Sequence, residues 1–257
     1  MGGVALLAGG GALTAVRLGV SMTALQFAIG ALNDIVDAPA DAGRVPPKPL
    51  PAGLVSGSAA RIVVAGSAVV GLALAIPGGP GLVALAMVVL AIGAGYDLFA
   101  KGTPWSWLPF AVGIPVLPVY GWFGATGALP PFVATIVPMA ALAGAGLAIA
   151  NARADLEADT SAGTDSVARR LGADRSWWVG AFLIAAAIAV GIAALAPREW
   201  NPGSWTLVGA GIGVIVAGLI LGRFDDPGAR RRGWEAQAIG AASAATGWVA
   251  GIVPGAS

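Results

Sequence analysis

Thirteen carboxylates are spread thinly over 257 residues, yet two short stretches concentrate them. The first is Asn33-Asp34-Ile35-Val36-Asp37-Ala38-Pro39-Ala40-Asp41. Asp34, Asp37 and Asp41 follow i, i+3, i+7 spacing, which places them on one face of a helix. Pro39 is expected to bend or end that helix and so re-aim Asp41. The second stretch runs from Asn151 through Asp155, Glu157 and Asp159 to Gly163 and Ser166, with Asp155 and Asp159 as i, i+4 neighbours. Both close long apolar segments, where the helix dipole is negative and carboxylates are locally unfavourable. Two carboxylates about 6 Å apart repel by roughly 3 kcal/mol at an effective dielectric near 20. A chain that carries this cost twice points to a compensating cation. With no His and no Cys, the ligands are all oxygen, the set that favours Mg²⁺ or Mn²⁺. A divalent ion bridging each acidic face to the oxygens of a diphosphate is the chemistry these residues fit. One D-x-x-x-D at a membrane helix end is ordinarily a solvated loop start. Two, each with an Asn about one turn or less ahead, are harder to account for that way.

The elements that must position these acids are membrane helices. The chain is 57% hydrophobic and 11% charged, with a mean hydropathy of +0.83, against about 25% charged residues in a soluble domain. So much apolar surface must face lipid. Forty glycines suit helices packed closely through small residues in a bilayer. A net charge of +1 argues against a nucleic-acid partner. The hydropathy pattern predicts an all-α, polytopic single domain over 1–257, with about nine transmembrane helices near 2–16, 18–38, 59–77, 80–99, 107–125, 131–151, 175–196, 203–222 and 234–253. The first is short, without a basic leader, and reads as a truncated membrane helix rather than a signal peptide.

Nine spans place the loops after spans two, four, six and eight on one side. Twelve of the fourteen Lys and Arg residues fall there, and only Arg17 and Arg198 fall opposite. That bias makes the shared side cytoplasmic. Every carboxylate except Glu199 lies there too, which the positive-inside rule does not explain. These acids cluster at one face rather than at the midplane, and no internal repeat is visible, which argues against the alternative of a transporter.

The first stretch resembles the N-D-x-x-D-x-x-x-D motif of the UbiA superfamily of intramembrane prenyltransferases. The run DLEADTSAGTDSVARRLG from Asp155 to Gly172 resembles its second motif, D-x-x-x-D-x-x-x-G-x-x-[ST]. Between them, Lys48-Pro49-Leu50-Pro51-Ala52-Gly53-Leu54-Val55-Ser56 resembles the family's R-P-L-P-S-G-x-x-S loop, with Lys for Arg and Ala for Ser. Tyr96 and Lys101 resemble the Tyr and Lys that touch the diphosphate.

The resemblance implies transfer of a prenyl group from a prenyl diphosphate donor to an acceptor, in the cell membrane, with the site on its cytoplasmic side. It assigns Asn33, Asp34, Asp37 and Asp41 to one Mg²⁺, and Asp155 and Asp159 to a second. Asn33, Asn151, Arg44, Lys48, Lys101 and Arg153 become candidate substrate contacts, and Asp34, Asp37, Asp155, Asp159, Lys101 and Tyr96 the catalytic set. Tyr96 and Phe99 are the aromatic rings nearest the expected allylic cation, which ring faces stabilise. Asp97 is expected to pair with Lys101. Burying a fifteen-carbon tail in membrane lipid or protein is worth on the order of 10 kcal/mol, so a lateral opening between helices is expected. The motifs do not separate transfer from intramembrane terpene cyclisation, and generic Ala, Leu, Val and Gly do not identify the acceptor.

Overall fold

The computed structural model describes residues 1–43, 46–196 and 201–253. Among them every regular element is helical. Eleven helices follow in order: α1 Gly2–Leu7, α2 Ala12–Asp37, α3 Gly57–Ala75, α4 Gly79–Gly95, α5 Leu108–Thr126, α6 Val133–Ala154, α7 Leu156–Ser161, α8 Val167–Leu171, α9 Ala173–Leu195, α10 Pro202–Arg223 and α11 Pro227–Ile252. A 3₁₀ turn at Ile76–Gly78 links α3 to α4, and a π-helical turn at Tyr96–Ala100 closes α4.

Among the described residues, six helical stretches are long and apolar enough to cross a membrane: Ala12–Asp37, Gly57–Ala100, Leu108–Thr126, Val133–Ala154, Ala173–Leu195 and Pro202–Arg223. The expected count of about nine is not confirmed, and three differences account for it. The span predicted at 2–16 does not form. Its six-residue helix α1 rises about 9 Å, far short of a hydrocarbon core of about 30 Å. The run Gly9-Gly10-Gly11 then breaks it, with Gly9 at a φ of 82°. Second, the spans predicted at 59–77 and 80–99 do form, as α3 and α4, but the tight turn at Pro77 and Gly79, whose φ is 82°, leaves them one unbroken helical stretch of 44 residues. Third, α11 is 26 residues long, but beyond its arginines Glu235, Gln237, Ser243, Thr246 and its glycines leave it less apolar than the other long helices.

The chain divides into two compact units, one of Met1–Phe99 with Val116–Leu129 and one of Ala100–Pro115 with Pro130–Ser257. In the first, Leu18, Leu25, Leu82 and Tyr120 are fully buried. Tyr120 Oη lies 2.6 Å from Ser21 Oγ, which donates to the Gly71 carbonyl at 2.7 Å. Arg17 was expected in a loop between two spans but sits inside α2. Its guanidinium donates to the Leu74 carbonyl at 2.8 Å and to that of Gly124 at 3.4 Å. Carbonyls near the ends of α3 and α5 therefore share one cation.

In the second unit α10 and α11 meet along a seam of glycines. A Cβ on Gly211 would lie 2.6 Å from the Gly240 carbonyl oxygen, and one on Gly218 would lie 2.6 Å from that of Gly233. Backbone therefore rests on backbone, the small-residue packing expected in a bilayer. Trp248 donates from Nε1 to the Gly191 carbonyl at 2.9 Å, tying α11 to α9. An apolar cavity of about 100 Å³ lies among Ile136, Met139, Ile184, Ile188, Ile212 and Trp248. That is smaller than an enclosed cavity of about 150 Å³ that holds benzene.

Candidate active site

The first acidic motif occupies the end of α2. The helix proper stops at Asp37, but Ala38 keeps helical angles of −50° and −41°. The Asp41 amide still donates to the Asp37 carbonyl at 2.9 Å. Pro39 therefore ends the helix without turning Asp41 away. All three carboxylates face Lys48, whose Nζ lies 2.7 Å from Asp41 Oδ2, 3.5 Å from Asp34 Oδ1 and 4.0 Å from Asp37 Oδ2. Its hydrogen bond to Asp41 and the charges of all three aspartates hold the ammonium above its ordinary value, against partial burial.

Lys48 is placed by a compact loop. The Ala52 amide donates to the Lys48 carbonyl at 3.0 Å and the Gly53 amide to that of Leu50 at 3.1 Å. Gly53 has a φ of 72°, a left-handed turn that side chains disfavour. Ser56 then caps α3, its Oγ accepting from the Ala59 amide at 3.1 Å. Gly53 and Ser56 thus have structural roles in carrying Lys48 to the aspartates. An open cleft of about 220 Å³ adjoins them, lined by Ala31, Asp34, Lys48, Leu50, Val55 and Val63 among others.

Asn33, also at the end of α2, does not face Lys48. Its Nδ2 donates to Oδ1 of Asp97 at 2.8 Å. Asp97 is 5% exposed and stands in the π-helical turn that Tyr96 opens and Lys101 follows. Sequence reasoning matched Asp97 with Lys101 and did not foresee the Asn33 contact. The polar type of both residues was the available signal, but the π turn that aims Asp97 leaves no mark on sequence periodicity. Phe99, weighed beside Tyr96 as a partner for the cation, is 79% exposed and reads as lipid-facing.

The second motif is built differently. Asn151 is in the last turn of α6, and Asp155 is the hinge between α6 and α7. The Asp159 amide donates to the Asp155 carbonyl at 2.8 Å, so α7 keeps the predicted i, i+4 relation. Glu157 points elsewhere and pairs with Arg230 Nη1 at 2.5 Å. Arg230, whose side chain is 4% exposed, also reaches Asp225 at 3.2 Å. Arg153, a candidate substrate contact, is 3% exposed. Its Nε donates to the Ala173 carbonyl at 2.8 Å and its Nη1 to that of Gly222. Arg44 lies outside the described residues.

Among the described residues no three acidic side chains close a metal shell by themselves. Mg²⁺ does not need such a cage, since it keeps several waters and binds through one or two carboxylates plus substrate phosphates. The all-oxygen donors fit it, and at the first motif a cation already sits against three carboxylates.

The profile of the UbiA prenyltransferase family matches residues 1–251. The chain belongs to this family. Membership makes it a multi-pass membrane protein and a prenyltransferase in general terms. Solved structures share the fold at low identity. A digeranylgeranylglyceryl phosphate synthase is 16% identical with a TM-score of 0.75, over 98% of this chain and 92% of that one. An apo UbiA homologue from Aeropyrum pernix K1 is 24% identical with a TM-score of 0.74, over 93% and 92%. A homologue from Archaeoglobus fulgidus, bound to GPP and Mg²⁺, is 19% identical with a TM-score of 0.67, over 96% and 92%. No curated protein matches the chain.

Proposed function

We propose that this UbiA-family chain transfers a prenyl group from a prenyl diphosphate to an acceptor within the cell membrane, in a Mg²⁺-dependent reaction at the cytoplasmic face. The observation that carries this reading is the convergence of Asp34, Asp37 and Asp41 on one cation position, held by the Lys48 ammonium at 2.7 to 4.0 Å. The Archaeoglobus fulgidus homologue bound to GPP and Mg²⁺, and its counterpart bound to DMAPP and Mg²⁺, support it.

Asp34, Asp37 and Asp41, with Asn33, hold one ion, and Asp155 and Asp159 the other. Bound Mg²⁺ supplies charge neutralisation as the carbon–oxygen bond of the donor breaks and diphosphate departs with the electron pair. Lys48, the counter-ion of these aspartates, would give its ammonium to the diphosphate once a cation occupied their place. Lys101 and Asn151 bond the same group, with Arg44 a further contact. The Tyr96 ring faces the allylic cation, and the acceptor nucleophile closes the new bond as it loses its proton. Arg153, whose Nε and Nη1 bind backbone carbonyls, has Nη2 left for the diphosphate.

The test is turnover by detergent-solubilised protein with prenyl diphosphates of several lengths and a panel of acceptors. Diphosphate release and a prenylated product are expected, both lost in EDTA and restored by Mg²⁺. A cyclic hydrocarbon in place of the prenylated product would mark a cyclase, and turnover in EDTA would overturn the metal role. The side is read by labelling single cysteines at Ser58 and Ser161, both exposed, which should react from one face, and at Gly203, which should react from the other. Ser204 is unsuitable for this because it is 2% exposed.

A further inference from the structure

Asp97 is a carboxylate at a membrane-helix end, 5% exposed. An ionised carboxylate in such a place costs several kcal/mol unless polar partners compensate it. The chain reaches this arrangement through a π-helical turn at Tyr96–Ala100, an irregularity that is rare and frequently found at functional sites. The wider turn rotates the backbone beyond Gly95 and brings Asp97 to face the end of α2. The carboxylate meets Asn33, whose Nδ2 lies 2.8 Å from Oδ1.

The chemistry of this contact fixes the orientation of the amide. An ionised carboxylate only accepts hydrogen bonds, so Asn33 must turn its NH₂ group toward Asp97. The amide oxygen, the atom of asparagine that binds Mg²⁺, is then turned away from Asp97. Asn33 and Asp37 stand one turn apart on α2, so that oxygen belongs to the same helix end as the aspartates around Lys48. Without Asp97 the amide would rotate freely, presenting NH₂ as often as oxygen.

We infer that Asp97 is a positioning residue: from the π turn it locks the Asn33 amide with its oxygen left to ligate the cation that holds the diphosphate. The inference rests on the proposed Mg²⁺-dependent function. Partners that orient a ligand in this way typically change metal affinity 10- to 100-fold when lost.

The test measures metal binding directly, with Mn²⁺ as the probe and inorganic pyrophosphate present at saturation, by the electron paramagnetic resonance signal of free Mn²⁺. Asp97→Leu removes the acceptor and should raise the Mn²⁺ Kd roughly 10- to 100-fold. Asp97→Asn offers Asn33 a donor as well as an acceptor, so it fixes the amide less firmly and its Kd should fall between those of wild type and Asp97→Leu; a Kd equal to that of wild type would count against the lock. Asp97→Ser, too short to reach the amide, is made alongside in case the leucine variant does not fold, and is read by the same outcomes. Adding Asn33→Ala to the Asp97→Ser background should weaken Mn²⁺ binding little further, because the two residues act as one unit. A merely structural carboxylate would lower Tm and leave the Kd unchanged, and additive losses would likewise overturn the inference. If wild type binds Mn²⁺ tightly and Asp97→Ser binds it equally well, only the role of Asp97 fails. If wild type binds no Mn²⁺ with pyrophosphate, the proposed function fails with it.

Discussion

At the end of α2 three carboxylates lean on one ammonium, whereas at the end of α6 the acids go separate ways. There Glu157 is taken by Arg230, and the arginine of the motif, Arg153, holds the backbone of Ala173 and Gly222. Similar spacing therefore yields two kinds of helix end. The first gathers negative charge and balances it with the single ammonium of Lys48. The second spends its cations on tying helix ends together, which leaves Asp155 and Asp159 as its remaining acids. On the proposed function the ammonium stands where a metal ion would bind, whereas a buried arginine bonded to carbonyls ties helix ends together.

If both ends hold metal, the aspartates should be equally indispensable despite this difference. Asp34→Ala, Asp37→Ala, Asp155→Ala and Asp159→Ala should each abolish diphosphate release while Tm stays near wild type. Retained turnover in the Asp155 and Asp159 variants alone would make the second end purely structural and break the pairing.

The cations should separate the two ends next. Lys48→Met and Lys101→Met should each slow turnover roughly tenfold to a hundredfold, the loss of one charge-assisted hydrogen bond of about 1.5–3 kcal/mol. Lys48→Met also leaves three carboxylates without their ammonium, so added Mg²⁺ should raise its Tm by more than it raises that of wild type. Turnover of Lys48→Met within twofold of wild type would make the lysine only a loop anchor.

Arg153→Met should add a loss of stability to a substrate effect. Orphaning a buried carbonyl costs about 1–3 kcal/mol, so Tm should fall by several degrees while the KM for prenyl diphosphate rises in the folded fraction. An unchanged KM with lowered Tm would take Arg153 out of the substrate set.

The smallest effect is expected at the far end of the second motif. Arg170 lies 2.5 Å from Asp165, and its hydrogen bond holds the Asp165 carboxyl below the usual 3.8. A depressed carboxyl adds stability above its unfolded value and loses it as pH falls through the folded one. The pair is exposed, and such pairs contribute little. Melting curves at pH 7 and pH 5 should therefore superimpose for wild type and Asp165→Asn alike.

The sequence made the aspartate faces legible because helical spacing survives a proline that only ends the helix, as Asp41 demonstrates. It made the apolar helices legible because bilayer thickness sets their length. It misplaced the first span, since hydropathy averages over Gly9-Gly10-Gly11 and does not register the backbone turn there. It put Arg17 in a loop, because a positive charge between apolar runs looks like a boundary until carbonyls are found to receive it. The contact of Lys48 with the aspartates depends on the path of a loop, and that of Asp97 with Asn33 on one π turn. Neither leaves a periodic trace.

The glycine seam between α10 and α11 has a kinetic consequence. Helices in backbone contact give water and lipid no side chains to pry between, and their α-hydrogens face carbonyl oxygens across the gap as weak hydrogen bonds. Local opening there must separate both arms of the hairpin at once. In hydrogen–deuterium exchange, the amides around Gly211, Gly218, Gly233 and Gly240 should be the last in the chain to take up label, long after the loop that carries Lys48.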